Sequence, residues 1–233
     1  MKRIFVPTQS ASDWQRLLAK PKLHWKSGAS AMTAASSWES AAGQLPAEIS
    51  EHLNSTELAP LSDLQLLVAI PEWQVELPGG QTRSATDVLA LCRNDMGLCV
   101  VAVEAKVLED FGPTVAEKRA KASEGQGERL RFLHELLGVE HFSDAIRYQL
   151  LHRTASAVLT ARSFHAATAV MLVQAFDTPA DRIDDLRAFA SEIGATEVIA
   201  NVFRVARFDA PALFLVWCAG NPIHRRASIA SAV

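Results

Sequence analysis

Four ionisable residues stand inside or beside the most apolar stretches of the chain: Glu72, Asp87, Glu104 and Lys106. Carboxylates gathered in one place with a lysine beside them can hold a hard divalent cation and steady charge on a phosphoryl group. Whether they gather depends on the strands that carry them. Residues 66–77, 82–94 and 98–108 are rich in Val, Leu, Ile and Trp and are separated by turn residues, which predicts three consecutive strands. Gly79-Gly80, within Pro78-Gly79-Gly80-Gln81, suits a two-residue hairpin turn because both central positions need positive φ. Centred there, the hairpin sets Glu72 opposite Asp87. A second two-residue turn, within Asn94-Asp95-Met96-Gly97, sets Asp87 opposite Glu104. Opposed residues share a face with Cβ atoms roughly 4.5–5.5 Å apart. Lys106 follows two residues along on the same face, and the next row would hold Gln74, Ala85 and Lys106.

Such a row is costly. Glu104 and Lys106 interrupt Val100-Val101-Ala102-Val103 and are followed by Val107, the pattern of a strand buried on both faces. Opposed like charges destabilise a sheet, and burial raises the cost unless something neutralises them. Lys106 offsets one charge, and a divalent cation held by oxygen ligands would offset the rest. The alternative is that Glu72 and Asp87 end their strands in water, or that a one-residue bulge turns Asp87 to the other face.

The elements around this triplet read as α/β. Residues 1–60 are helical: Ser12-Asp13 caps a short helix to Leu18, Gly28-Ala29-Ser30 opens an Ala-rich one to Ala42, and Pro46 starts another to Leu53. After Phe111-Gly112-Pro113, helices are expected over 114–123 and 128–137, and Ser143-Asp144 caps a long helix to Arg162. A strand over 167–176, a helix over 179–193 and a hairpin of 201–208 with 213–218 complete a core over 64–218. No linker divides the chain, so 1–233 reads as a single domain.

Composition removes several classes. With 23 Lys and Arg against 26 Asp and Glu, the net charge of -3 excludes a generic polycation. Three cysteines, Cys92, Cys99 and Cys218, each in an apolar run, read as buried hydrophobes rather than a disulfide framework or metal knuckle. The 7 histidines lack ligand spacing, and Gly125-Gln126-Gly127 has no preceding strand, so neither zinc nor a dinucleotide is indicated. Met1–Pro7 opens with basic residues but no signal-like apolar run, and no stretch is long enough to span a membrane. A cytoplasmic protein is expected.

Thr86-Asp87, followed by Glu104-Ala105-Lys106, resembles the motif of the PD-(D/E)XK nuclease superfamily. The likeness extends to a bacterial family of restriction-endonuclease-like proteins through Ile70-Pro71-Glu72, Leu77-Pro78-Gly79-Gly80, Ser84-Ala85-Thr86-Asp87, Glu104-Ala105-Lys106-Val107, Phe111-Gly112-Pro113 and the run from Ile146 to Arg153. Thr86 replaces the motif's proline. The resemblance implies a restriction-endonuclease-like αβββαβ core with a mixed central sheet flanked by helices. It also implies a Mg²⁺- or Mn²⁺-dependent nuclease acting on phosphodiester bonds, with DNA as the expected nucleic acid. Asp87 and Glu104 would hold the metal, with Glu72 as a further ligand directly or through water. Lys106 would orient the attacking water or stabilise developing negative charge. Glu39 is the nearest acid from the first helices, ranked below Glu72.

Nucleic acid needs positive charge somewhere. From Ala145 to Phe176 there is no Asp or Glu, while Arg147, Arg153 and Arg162 fall inside that window. Gln149, His152, Arg153 and Ser156 share one helical face, which makes Gln149, Arg153 and Arg147 the candidate phosphate or active-site contacts. Lys118, Arg119, Lys121, Arg129 and Arg131 form a second basic region, diluted by Glu117, Glu124 and Glu128. No membrane partner is expected, and a homodimer is compatible with the sequence. The rival readings are a catalytically idle module of the same fold that binds DNA or a protein, and a hydrolase of another phosphorylated substrate.

Overall fold

The structure, a computed structural model, describes Ile4 and residues 8–80 and 82–230. Gln81 and the rest of the Met1–Pro7 start lie outside the described residues. A 3-10 turn over Ala11–Leu17 and helices α1 (Pro21–His24), α2 (Ser30–Ser40) and α3 (Ala47–Asn54) come first. Strands β1 (Gln65–Val75), β2 (Ser84–Asn94) and β3 (Gly97–Lys106) follow, then α4 (Val115–Ala120), α5 (Glu124–Leu137) and α6 (Tyr148–Ser163). The chain continues through β4 (Thr168–Ala175), α7 (Arg182–Glu192), β5 (Ala195–Ile199), β6 (Val202–Asp209), β7 (Ala212–Ala219) and α8 (Pro222–Ala230). The strands form one 7-stranded mixed sheet in the order β1-β2-β3-β4-β7-β6-β5. Among the described strands, β3–β4 and β4–β7 pair parallel and the other neighbours pair antiparallel.

Helices flank both faces, which explains the unbroken apolar strands at the centre. Along β3, Val100 and Ala102 join the core under α5, α6 and α7, while Cys99, Val101 and Val103 join the core under the N-terminal helices. The next even positions after Ala102 are Glu104 and Lys106, so the alternation that buries β3 sends both toward α6. The second core closes around Trp14, Trp38, Ile49 and Leu53. No helix among the described residues is long and apolar enough to cross a membrane.

The register holds. Ile70 pairs with Leu89, Pro71 with Val88, and Trp73 with Thr86, which leaves Glu72 opposite Asp87. Between β2 and β3, Val88 pairs with Val103 and Asn94 with Gly97, so Asp87 and Glu104 are the next residues beyond the ladder. Glu72 itself has φ 53°, a left-handed backbone uncommon for a residue with a Cβ. Its consequence is visible on either side, because Ile70 and Trp73 both pack against the α6-side core, which strict alternation forbids. This change of face also removes Gln74 from the expected second row; its side chain is exposed.

Three expectations shift. The β1–β2 connection is not a two-residue turn, since β1 ends at Val75 and β2 begins at Ser84. Gly79 is required by close approach rather than by a tight hairpin: a Cβ there would lie 2.1 Å from the Gly125 carbonyl oxygen. The long helix starts at Tyr148, not after Ser143-Asp144. The Ser143 amide donates to Glu192 (3.0 Å), and Arg147 is held extended by a bridge to Thr114. β5 and α8 were not anticipated.

Candidate active site

β1, β2 and β3 deliver Glu72, Asp87, Glu104 and Lys106 to one cavity of about 860 Å³, and α6 adds Tyr148, Gln149, His152 and Arg153. The segment before α1, α1 itself and the start of α2 complete the lining through Leu18, Ala19, Leu23, His24 and Ala29–Ala31. Ala29–Ala31 adjoin a loop that α8 holds: the Gly28 amide donates to Ser228 Oγ (3.3 Å) and Ser27 Oγ donates to the Ser228 carbonyl (3.2 Å).

Within the cavity the three carboxylates differ. Glu104 is 4% exposed and engaged at both oxygens. Its Oε1 accepts from Lys106 Nζ (2.9 Å) and Gln149 Nε2 (2.7 Å), and its Oε2 accepts from Arg153 Nε. Burial alone would raise its pKa, but Arg153 and Lys106 outweigh that and hold it at about 2. Asp87 has one oxygen occupied, accepting from the Ala105 amide (2.7 Å). Burial and the nearby Glu104 push it up to about 7. Glu72 makes no hydrogen bond or ion pair among the described residues, and burial with the charge of Asp87 pushes it up to about 8. One carboxylate is therefore locked as an anion, and the other two repel each other without enough positive charge between them.

The cations are fixed by the same network. Lys106 Nζ also donates to Gln149 Oε1 (2.9 Å) and stands 5.1 Å from the Phe111 ring centroid. Arg153 Nη1 reaches Ser84 Oγ (3.2 Å), which also receives Ser156 Oγ (2.9 Å) and lies 2.9 Å from His152 Nδ1. Burial and Arg153 push His152 well below its ordinary pKa, so the ring is neutral and serves as a hydrogen-bonding wall. Ser84 is the member of this set that sequence reasoning missed; a lone serine at a strand start carries no signal.

The α6 residues foreseen as phosphate or active-site contacts do not form an outward basic face. Gln149 and Arg153 point into the carboxylate cluster, because the acids of β2 and β3 lie directly beneath α6. Arg147 lies outside the cavity and is tied to Asp185 (3.1 Å), Asp110 (3.6 Å) and the Gly112 carbonyl (2.8 Å). Glu39 is also elsewhere, accepting from Thr8 Oγ1 (2.6 Å) and Trp14 Nε1 (2.9 Å). Cys92, Cys99 and Cys218 are buried free thiols.

Among the described residues, no group of three or more His, Cys, Asp and Glu side chains is arranged to hold a metal ion. The hydrogen bonding of Glu104 accords with that: both its oxygens already face cations. The atoms with capacity to spare belong to Glu72 and Asp87, hard oxygen donors of the kind magnesium takes one or two at a time while keeping its waters. That donor set fits a divalent cation, with Glu104 as the anchor of Lys106 and Arg153.

No match to the chain was found among curated proteins or among solved structures. Residues 7–222, most of the chain, match a family model described as a domain of unknown function, DUF6946. The chain is a member of the DUF6946 family.

Proposed function

We propose that this protein is a metal-dependent nuclease that hydrolyses phosphodiester bonds, built on a restriction-endonuclease-like core. The observation that carries the reading is the meeting of Glu72, Asp87, Glu104 and Lys106 in one cavity beneath α6. Support also comes from the sequence resemblance, whose acid, acid and lysine are the residues that meet.

Glu72 and Asp87 would hold Mg²⁺ or Mn²⁺, which offsets the charge that pushes both pKa values up. Such an ion supplies a bound water of lowered pKa and a counter-charge for phosphoryl oxygens. The chain's own part is positioning. Glu104 and Gln149 hold Lys106 Nζ at a fixed place beside Asp87, where its ammonium can donate to a phosphoryl oxygen or to the attacking water. Arg153 keeps Glu104 ionised, and Phe111 shields one side of the ammonium.

The engagement of both Glu104 oxygens by cations favours one rival, an idle module of the same fold. Cleavage of plasmid and oligonucleotide substrates in Mg²⁺ or Mn²⁺ decides between them. Asp87→Asn should abolish cleavage, and Lys106→Ala should lower it by about 10²–10³, as loss of one preorganised donor does, with circular dichroism unchanged. Absence of cleavage by the wild type under every divalent metal tried would select the idle module.

A further inference from the structure

The catalytic cavity is not isolated. A neighbouring cavity of about 550 Å³ shares Asp110, Gly112, Pro113 and Lys118 with it. Another of about 210 Å³ shares Lys118, Tyr148 and His152. All three meet at Lys118, on α4. From the geometry we infer that they form one trough that binds the backbone of single-stranded nucleic acid, with Lys118 gripping the phosphate beside the site.

Charge supports a polyanion. Lys118, Lys121 and Arg129 line the trough and have no carboxylate partner among the described residues. In the two outer cavities the acids are engaged: Glu117 accepts from the Thr114 amide (2.8 Å), and Asp110 pairs with Arg147; the inner cavity adds Glu109 and the acids of the site itself. Lys118 is aimed by packing, its Nζ standing 5.0 Å from the Tyr148 ring centroid. The residues are those of the diluted basic region; folding sorts it. Arg119 pairs with Asp144, outside the trough, while Lys118 and Lys121 stay available.

Size points to one strand. The innermost cavity, about 860 Å³, falls within the range of pockets that enclose a drug-sized ligand. Leu18, Ala19, Leu23, His24 and Ala29–Ala31 line it together with α6 and Lys118, so the N-terminal segment narrows the approach to the acids. A separate strand can be threaded there; a duplex, with its second strand attached, meets that segment. Strand binding by a cationic groove is tolerant of sequence.

This inference rests on the nuclease reading for the position of the scissile phosphate, but binding tests it without cleavage. Fluorescence anisotropy in EDTA would compare labelled oligothymidine, oligouridine and a blunt DNA duplex of equal length. Both single strands should bind more tightly than the duplex, and the ratio between them tells DNA from RNA. Lys118→Glu should weaken single-strand binding by about tenfold or more, and the charge-neutral Lys118→Gln should flatten the salt dependence by about 0.7 per lost phosphate contact. Lys118→Arg should retain binding. Equal melting temperatures would show that the variants fold. Tighter duplex binding, no binding by the wild type, or unchanged binding by Lys118→Glu overturns the trough. Lys118-dependent binding with no cleavage in any divalent metal overturns the nuclease reading and leaves the trough standing.

Discussion

Two buried polar clusters lie on opposite faces of the sheet, and each has a glutamine at its centre. On the N-terminal side, Gln174 of β4 accepts from Trp38 Nε1 (3.2 Å) and donates to Ser37 Oγ (3.1 Å) and Glu48 Oε1 (2.9 Å). On the α6 side, Gln149 joins Lys106 to Glu104 in the same manner. The first cluster is complete: its amide has partners at both ends, and it fastens α2 and α3 to the sheet. The second is complete only around Glu104, with Glu72 and Asp87 pressed together beside it. Buried polar groups are therefore no guide to a site by themselves. Uncompensated charge in a cavity is the better mark.

Mutations should separate the two clusters, with the largest effect at the charged one. Glu104→Ala leaves Lys106 and Arg153 buried without their counter-ion and should cost about 3–5 kcal/mol in urea denaturation. A loss below about 1 kcal/mol would mean that the cations find water easily and that the cluster is softer than its hydrogen bonds suggest. Gln174→Leu strands Trp38 Nε1 and takes one donor from Glu48, which keeps Ser37, and should cost about 1–3 kcal/mol by the same measurement with no change in cleavage.

The pH dependence of stability is the most diagnostic test. Glu72 and Asp87 bind protons more tightly folded than unfolded, so the native state holds protons that the unfolded chain gives up. Stability of the metal-free protein should be full below about pH 4 from these two groups, and that contribution should drain away as pH rises toward about 8. Melting curves in EDTA should show the decline, and Mg²⁺ should remove it. Asp87→Asn should flatten the same slope without metal. A metal-free profile level across this interval would show that the pair is relieved by water.

Much of the site was legible because strand register is arithmetic. Asp95-Met96 forms the expected turn, and from Val68 to Val75 the β1–β2 ladder runs as placed even though the loop between the strands is longer; a bulge at Leu66/Val68 shifts it by one before that. The apolar run from Val100 correctly marked a strand covered on both sides. What failed depended on partners distant in sequence. Nothing near Arg147 indicates that Asp185 will claim it, and nothing near Ser143 indicates that Glu192 will take its amide and delay the helix. β5 lacked a signal because it is an edge strand with little buried surface, from Thr196 to Ile199 exposed throughout. The N-terminal wall of the cavity carried none either, since Leu18, Ala19 and Leu23 are ordinary residues until the fold brings them over the acids.

The left-handed residue in β1 makes that strand two half-strands in opposite phase. Between the bulge at Leu66/Val68 and Glu72 the even position Ile70 looks toward α6; after Glu72 the odd positions Trp73 and Val75 do. An engineer who wished to add a ligand to the cavity by counting in twos would choose position 74 and place it in solvent. The same counting governs comparison with other sheets: aligning β1 by its hydrophobic rhythm alone matches one half and inverts the other. The phase break, with an acid at its centre, is a more telling fingerprint of this strand than its composition.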